Sequence, residues 1–335
     1  MEQKKAETLA RAAALLKNAE NVLILAHKSP DGDTLGSSAA LCRVLHALGK
    51  RARVLCSDAV PHKYAYLFEG VERQEFEPGA VVAVDIAAPT LLGDALAPYA
   101  GRVDLCIDHH PSNTRYAALT LLDPRAAATC ELMLELFTGM GAPVDARTAD
   151  CLYTGIATDT GCFCYSNTTA ATLRAAAELV GKGARSSRIN KALFETKSRG
   201  RLLMERLALE SLEYAFGGRA AVIVLSRSMY EEAGISDDEA EGIPSIPARI
   251  EGVQVGVTIK EKEKREGPLY KISLRTGGGV NASAICARFG GGGHAAAAGC
   301  EIEGTLPEVK TAILGAVGDA LRGSGSTGSG STGAP

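Results

Sequence analysis

The amino-acid sequence predicts an α/β protein, with a parallel sheet carrying helices on both faces followed by a smaller mixed α/β domain. Three observations carry that expectation. In the first half, short apolar runs alternate with alanine- and leucine-rich stretches of helical period, the pattern of parallel strands joined by helices. In the second half, strand-like runs follow one another, two of them flanking a charged hairpin. The chain has 335 residues, more than most single domains, and 46% hydrophobic against 22% charged residues leaves ample apolar surface to bury.

In chain order, "NVLILAH" (21–27), "RARVLCSD" (51–58), "AVVAVDI" (80–86) and "RVDLCIDHH" (102–110) read as strands, with the helix "SSAALCRVLHALG" after the first. Helical period continues through "ATCELMLELFTGMG", "ARTADCLYTGIATD" and "TAATLRAAAELVGKG", each closed by glycine or a turn. From Lys182 to Arg201 seven basic residues and one acidic residue mark an interdomain connector. Beyond it, "RLLMERLALESLEYAFGG" reads as one amphipathic helix. The strands "RAAVIVLS", "VQVGVTIKEK" and "LYKISLRT" follow, with the hairpin "KEKEKREGPL" between the last two. The glycine-rich "VNASAICARFGGGGHAAAAGCEI" precedes a last helix near "LPEVKTAILGAVGDALR". The expected boundaries are a first domain over 1–186, a linker over 187–200, a second domain over 201–322 and a flexible low-complexity tail over 323–335.

Composition excludes several classes. A net charge of −3 is not that of a protein gripping long duplex nucleic acid, though it leaves room for a small anionic substrate. No apolar run reaches bilayer length and "MEQKKAETLA" lacks a signal-peptide core, so no membrane partner and a cytoplasmic location are expected. Nine scattered cysteines read as reduced core thiols, and the close pair Cys162 and Cys164 lacks zinc-knuckle spacing.

Strand ends are where open parallel sheets place ligands. His27, Asp31 and Asp33 follow the first strand, Asp85 the third, and Asp108, His109 and His110 the fourth; Asp159 ends a helix expected at the same edge. Five carboxylates and three imidazoles cannot share a partly buried crevice as free charges, because like charges raise each other's pKa. Divalent cations resolve the conflict. Mixed imidazole and carboxylate donors suit manganese, with magnesium or cobalt as alternatives, and the donors suffice for two ions sharing a ligand. In the second half, Arg275 and the run Gly291, Gly292, Gly293 and His294 offer a guanidinium and open backbone amides to a phosphate.

The motifs "HKSPDGDTLGS", "VDI", "DHHPSN" and "TDTG", in this order, resemble the DHH phosphoesterase family, and "GGGGHAAAAG" resembles the glycine-rich motif of the DHH-associated domain. The resemblance covers about residues 1 to 322 and lies nearest to stand-alone bacterial oligoribonucleases that also dephosphorylate 3'-phosphoadenosine-5'-phosphate. It implies a DHH catalytic domain and a DHH-associated substrate-binding domain with an active-site cleft between them. It implies one ion held by His27, Asp31 and Asp85 and a second by Asp33, Asp85, His109 and Asp159. It also implies Asp108 behind the ligands, His110 facing the scissile phosphate or leaving oxygen, substrate contacts at Arg275 and 291–294, and pairing of two chains. The expected reaction is hydrolysis of short oligoribonucleotides by a water that the ions activate. The rival expectations are cleavage of cyclic or linear dinucleotides and, outside enzymes, nucleotide or RNA binding around a vestigial centre.

Overall fold

The computed structural model describes residues 2–237, 239–262 and 267–324. The chain divides into two compact units at Thr196/Lys197. The centre of the expected hairpin, 263–266, and most of the expected tail, 325–335, lie outside the described residues.

The first unit contains α1 (Glu2–Asn18), β1 (Asn21–Leu25), α2 (Gly32–Ala47), β2 (Arg51–Leu55), β3 (Ala80–Val84), β4 (Leu105–Asp108) and β5 (Leu119–Leu122). Four helices follow: α3 (Thr129–Met140), α4 (Ala146–Asp159), α5 (Ala170–Gly181) and α6 (Ser186–Asn190). The strands form a parallel sheet in the order β2-β1-β3-β4-β5. β1 shows why its run is apolar throughout: Val22 and Ile24 face the large cluster built by α2, α3 and α4, while Leu23 and Leu25 face a second cluster with Val81, Ala83, Leu92 and Leu96. That second face is covered by short 3₁₀ helices at Pro89–Leu91 and Asp94–Tyr99. β5 was not anticipated, since four edge residues, of which only Leu121 is fully buried, are too few to show a period. The connector is not free chain either: Ile189 of α6 is buried in the first unit's core, and a π-helical turn at Lys191–Glu195 follows.

Strand order reverses between β1 and β3, because the chain steps outward to β2 and returns past β1 to reach β3. Loops leaving the carboxyl ends of two such strands diverge to opposite sides and open a crevice. The sheet thereby fixes where a ligand belongs before any side chain is considered.

α2 and α4 cross closely because they meet at glycines. A Cβ on Gly36 would overlap the Cys151 carbonyl, and one on Gly155 would overlap Cys130 Sγ and come within 2.6 Å of Asp33 Oδ1. Gly155→Ala is expected to cost about 1–3 kcal/mol of overpacking strain, read as a lower urea midpoint at unchanged m-value.

The second unit contains α7 (Arg199–Glu210), β6 (Glu213–Ala215), β7 (Ala220–Leu225), α8 (Arg227–Ala233), β8 (Val255–Lys262) and β9 (Leu269–Thr276). It ends with α9 (Ala282–Ala287), β10 (Gly292–His294), β11 (Ala297–Glu303) and α10 (Leu306–Ser324). The six strands run in the order β10-β11-β9-β8-β7-β6, with only β7 and β8 parallel. α9 and α10 cover one face through Ile285, Val309, Ile313 and Val317, while α7 and α8 cover the other through Met204, Ala208 and Ala233. The helix expected to reach Gly218 stops at Glu210. Gly217 and Gly218 take positive φ, at 66° and 87°, and turn residues 213–215 back onto β7 as a hairpin. Among the described residues no helix is long and apolar enough to cross a membrane.

Candidate metal centre

Every sequence-predicted group of the first unit arrives at the β1/β3 switch point. His27 lies two residues beyond β1, where its Nδ1 bonds the Lys28 carbonyl at 2.7 Å and its Nε2 faces Asp31 Oδ1 at 3.7 Å and Asp85 Oδ2 at 3.6 Å. Asp31 caps α2, with Oδ1 accepting the amides of Asp33 and Thr34 at 3.0 Å each. It therefore does both things a loop aspartate can do, ending a helix and facing an imidazole.

Asp33 is buried on the first turn of α2. Its Oδ2 accepts the Thr129 amide at 2.6 Å and its Oδ1 the Cys130 amide at 2.9 Å. These are orphan amides at the start of α3, whose own N-cap residue, Ala128, has no capping side chain. A carboxylate 96 positions earlier in the chain thus completes the helix end and is held rigid by it.

Asp85 stands one residue past β3 with φ 60°, a left-handed conformation that aspartate tolerates better than most residues. Its Oδ1 accepts from Thr129 Oγ1 at 2.9 Å and lies 3.6 Å from His109 Nε2. The two carboxylate oxygens therefore face two different imidazoles, His27 and His109. His109 Nδ1 bonds the Ala126 carbonyl at 3.2 Å; its Nε2 lies 3.3 Å from Asp159 Oδ2, and yet this buried atom has no hydrogen-bond partner. Asp108, fully buried at the end of β4, receives the amides of His109 and His110, His110 Nδ1 at 2.8 Å and Asn113 Nδ2 at 2.6 Å.

Three groupings could each hold a cation: His27, Asp31 and Asp85; Asp33, His109 and Asp159; and Asp85, His109 and His110. The third was not anticipated, and His110 Nδ1 is already engaged by Asp108. Thr129, Cys130 and Asn113 also escaped the sequence reading. They act on the carboxylates through hydroxyl, backbone and amide groups that no spacing announces.

Electrostatics point the same way. Burial, with Asp85 and Asp159 beside it, pushes Asp33 well above the carboxylate range; burial, with Asp31 and Asp159, carries Asp85 to about 6. Burial alone would depress the imidazoles, but Asp31 and Asp85 hold His27 up at about 11, and Asp159, Asp33 and Asp85 hold His109 at about 10. Carboxylates that resist ionising beside imidazoles that resist losing a proton make a site short of positive charge. With an orphaned imidazole nitrogen pointing inward, the donors fit metal ions.

In the second unit, register pairs Arg275 with Ala297 and Ala297 with His294, so arginine and histidine project from the same sheet face two strands apart. The glycine run is not an open loop here. Cβ atoms on Gly291 or Gly293 would collide with the β11 backbone, whereas Gly292 faces open space. Close strand packing accounts for two of the three glycines.

The profile of the DHH family, N-terminal domain, matches residues 21–156, and that of the DHHA1 domain matches residues 204–323. A Thermus thermophilus protein named bifunctional oligoribonuclease and PAP phosphatase NrnA is 35% identical, over 94% of this chain and 95% of that protein. A Bacillus subtilis protein of the same name is 25% identical over 84% of this chain and 90% of its own length. The crystal structure of an exopolyphosphatase-related protein from Bacteroides fragilis superimposes with a TM-score of 0.83 at 25% identity, covering 94% of this chain and 96% of that one.

Proposed function

The chain belongs to the DHH family of phosphoesterases, and from that premise we propose that it hydrolyses short oligoribonucleotides to mononucleotides and removes the 3'-phosphate of phosphoadenosine phosphate. The relatives' names support this substrate class. The single observation that carries the chemistry is Asp85, with each oxygen turned to a different histidine and a separate carboxylate beyond each. That arrangement supports a bridging ligand between two sites, His27 with Asp31 on one side and His109 with Asp33 and Asp159 on the other.

A pair of divalent cations, which we take to be manganese, would supply charge neutralisation of the phosphoester and a lowered pKa for the attacking water. The chain's own residues do the rest. The α3 amides and Thr129 lock Asp33 and Asp85, so the donor set is preorganised. Asp108 fixes the His110 ring through Nδ1, which leaves Nε2 as the nitrogen able to meet a scissile phosphate or leaving oxygen. Arg275 and His294, on one face of the second unit's sheet, are proposed to hold substrate phosphate. All nine cysteines are free thiols, most of them buried, which supports a reducing cytoplasm; family resemblance supports pairing of two chains.

The test is a substrate panel with manganese: labelled di- to pentanucleotides, phosphoadenosine phosphate, cyclic and linear di-adenylate, and pyrophosphate. Mononucleotide release from the short RNAs and adenosine monophosphate from phosphoadenosine phosphate are expected. Faster turnover of the cyclic compound than of any linear one would transfer the reading to a cyclic-dinucleotide phosphodiesterase; no turnover at all would end it.

A further inference from the structure

Just beyond Asp159 the chain turns through three successive residues with positive φ, Gly161 at 55°, Cys162 at 56° and Phe163 at 66°. Left-handed backbone is strained for residues carrying side chains and persists only where the surroundings impose it. The imposing groups are in place. The carbonyl of buried Thr160 accepts the amides of Cys164 and Tyr165 at 2.9 Å each, and its hydroxyl accepts that of Phe163 at 3.1 Å. The Phe163 ring meets the Tyr153 ring at 5.9 Å, and Asn167 donates to the carbonyls of Asp159 at 3.0 Å and Ala127 at 3.3 Å. A turn tied at so many points fixes the side chain that leaves it.

That side chain is Tyr165. Its ring lies on Gly161: a Cβ built on this glycine would overlap ring atoms Cε1 and Cζ and stand 2.7 Å from Cε2. Yet Tyr165 is 56% exposed. The ring meets Gly161 along its outer atoms and leaves much of its surface open to a ligand. Gly161 is two residues from Asp159, so their Cα atoms are at most ~7.6 Å apart. The turn that carries the open ring therefore starts beside Asp159, one of the candidate cation ligands.

We propose that Tyr165 is a stacking platform for the nucleobase next to the phosphoester bound at the metal centre to which Asp159 belongs. The inference rests on the phosphoesterase reading for its ligand class and adds to it a site that recognises the base rather than the phosphate. A rigid aromatic ring stacks any base, because every base has a π-face, so the platform favours nucleotide substrates without choosing among sequences. It also gives the strained turn a purpose, since the left-handed run is what folds residue 165 back over residue 161.

Two readouts test this. Tyr165→Ala is expected to lower kcat/KM for a dinucleotide between about fivefold and a hundredfold, mostly through KM, while Tyr165→Phe stays near wild type. On a dinucleotide lacking one base, the alanine variant should lose far less. The second readout needs no turnover. The chain has no tryptophan, so Tyr165→Trp creates a single tryptophan, excitable apart from the remaining tyrosines, whose emission adenosine monophosphate should quench and ribose 5-phosphate should not. An equal loss on base-bearing and base-lacking substrates, or an unquenched tryptophan, overturns the platform. Quenching in a protein that cleaves no oligonucleotide would keep the platform and sink the substrate reading instead.

Discussion

Asp85→Asn is expected to lower turnover of a dinucleotide by more than about a thousandfold while leaving the protein folded. Asparagine is the informative replacement because it tolerates the left-handed backbone at this position, where φ is 60°, so strain does not confound the result. It can keep the hydrogen bond from Thr129 Oγ1 through its own oxygen. What it loses is the negative charge and one of the two oxygens that face His27 and His109. The variant's melting temperature in chelator should stay close to that of the parent chain, because asparagine removes both the repulsion from Asp31 and Asp159 and the attraction to His27 and His109. Steady-state kinetics with manganese, alongside a melting curve, check both halves. Activity within tenfold of the parent would show that residue 85 does not join the two halves of the centre.

How much of this was legible beforehand depended on where the signal sat. Strands β1, β3 and β4 announced themselves as apolar runs, and each was followed by histidine or aspartate, so the loops carrying the candidate ligands could be read from the sequence. β5 could not, because a four-residue edge strand has no period to show. β6 was concealed inside a helical pattern, and tertiary pairing across the turn at Gly217 and Gly218 overrode it. At the centre the carboxylates and imidazoles were visible as types, whereas their supports were not. Asp33 is gripped by backbone amides of Thr129 and Cys130, and an amide looks the same in every residue. The glycines at 291 and 293 were read as a bare backbone offered to phosphate, but their first duty is to let β10 approach β11. Tyr165 carries no motif at all; only its exposed ring over Gly161 singles it out.

Stripping divalent cations with a chelator should destabilise the first unit selectively. Among the described residues every grouping able to hold a cation belongs to that unit, drawn from α2, α4 and the loops after β1, β3 and β4. Without cations, those carboxylates either repel one another inside the fold or keep protons on themselves and on the neighbouring imidazoles, and both cost free energy above neutral pH. A ligand present at a hundred times its dissociation constant adds about 2.7 kcal/mol to the state that binds it. For a unit ending at Thr196, that is roughly 5–10 °C of melting temperature. Scanning calorimetry at pH 8, with manganese and then with chelator, should therefore move the transition of the first unit downward and leave that of the second in place. The asparagine variant at position 85 should respond much less, since the shared ligand is gone. Should both transitions stay fixed in the parent chain, the clustered oxygens hold no ion in solution. Asp33 and Asp85 would then owe their burial to completing the start of α3 alone.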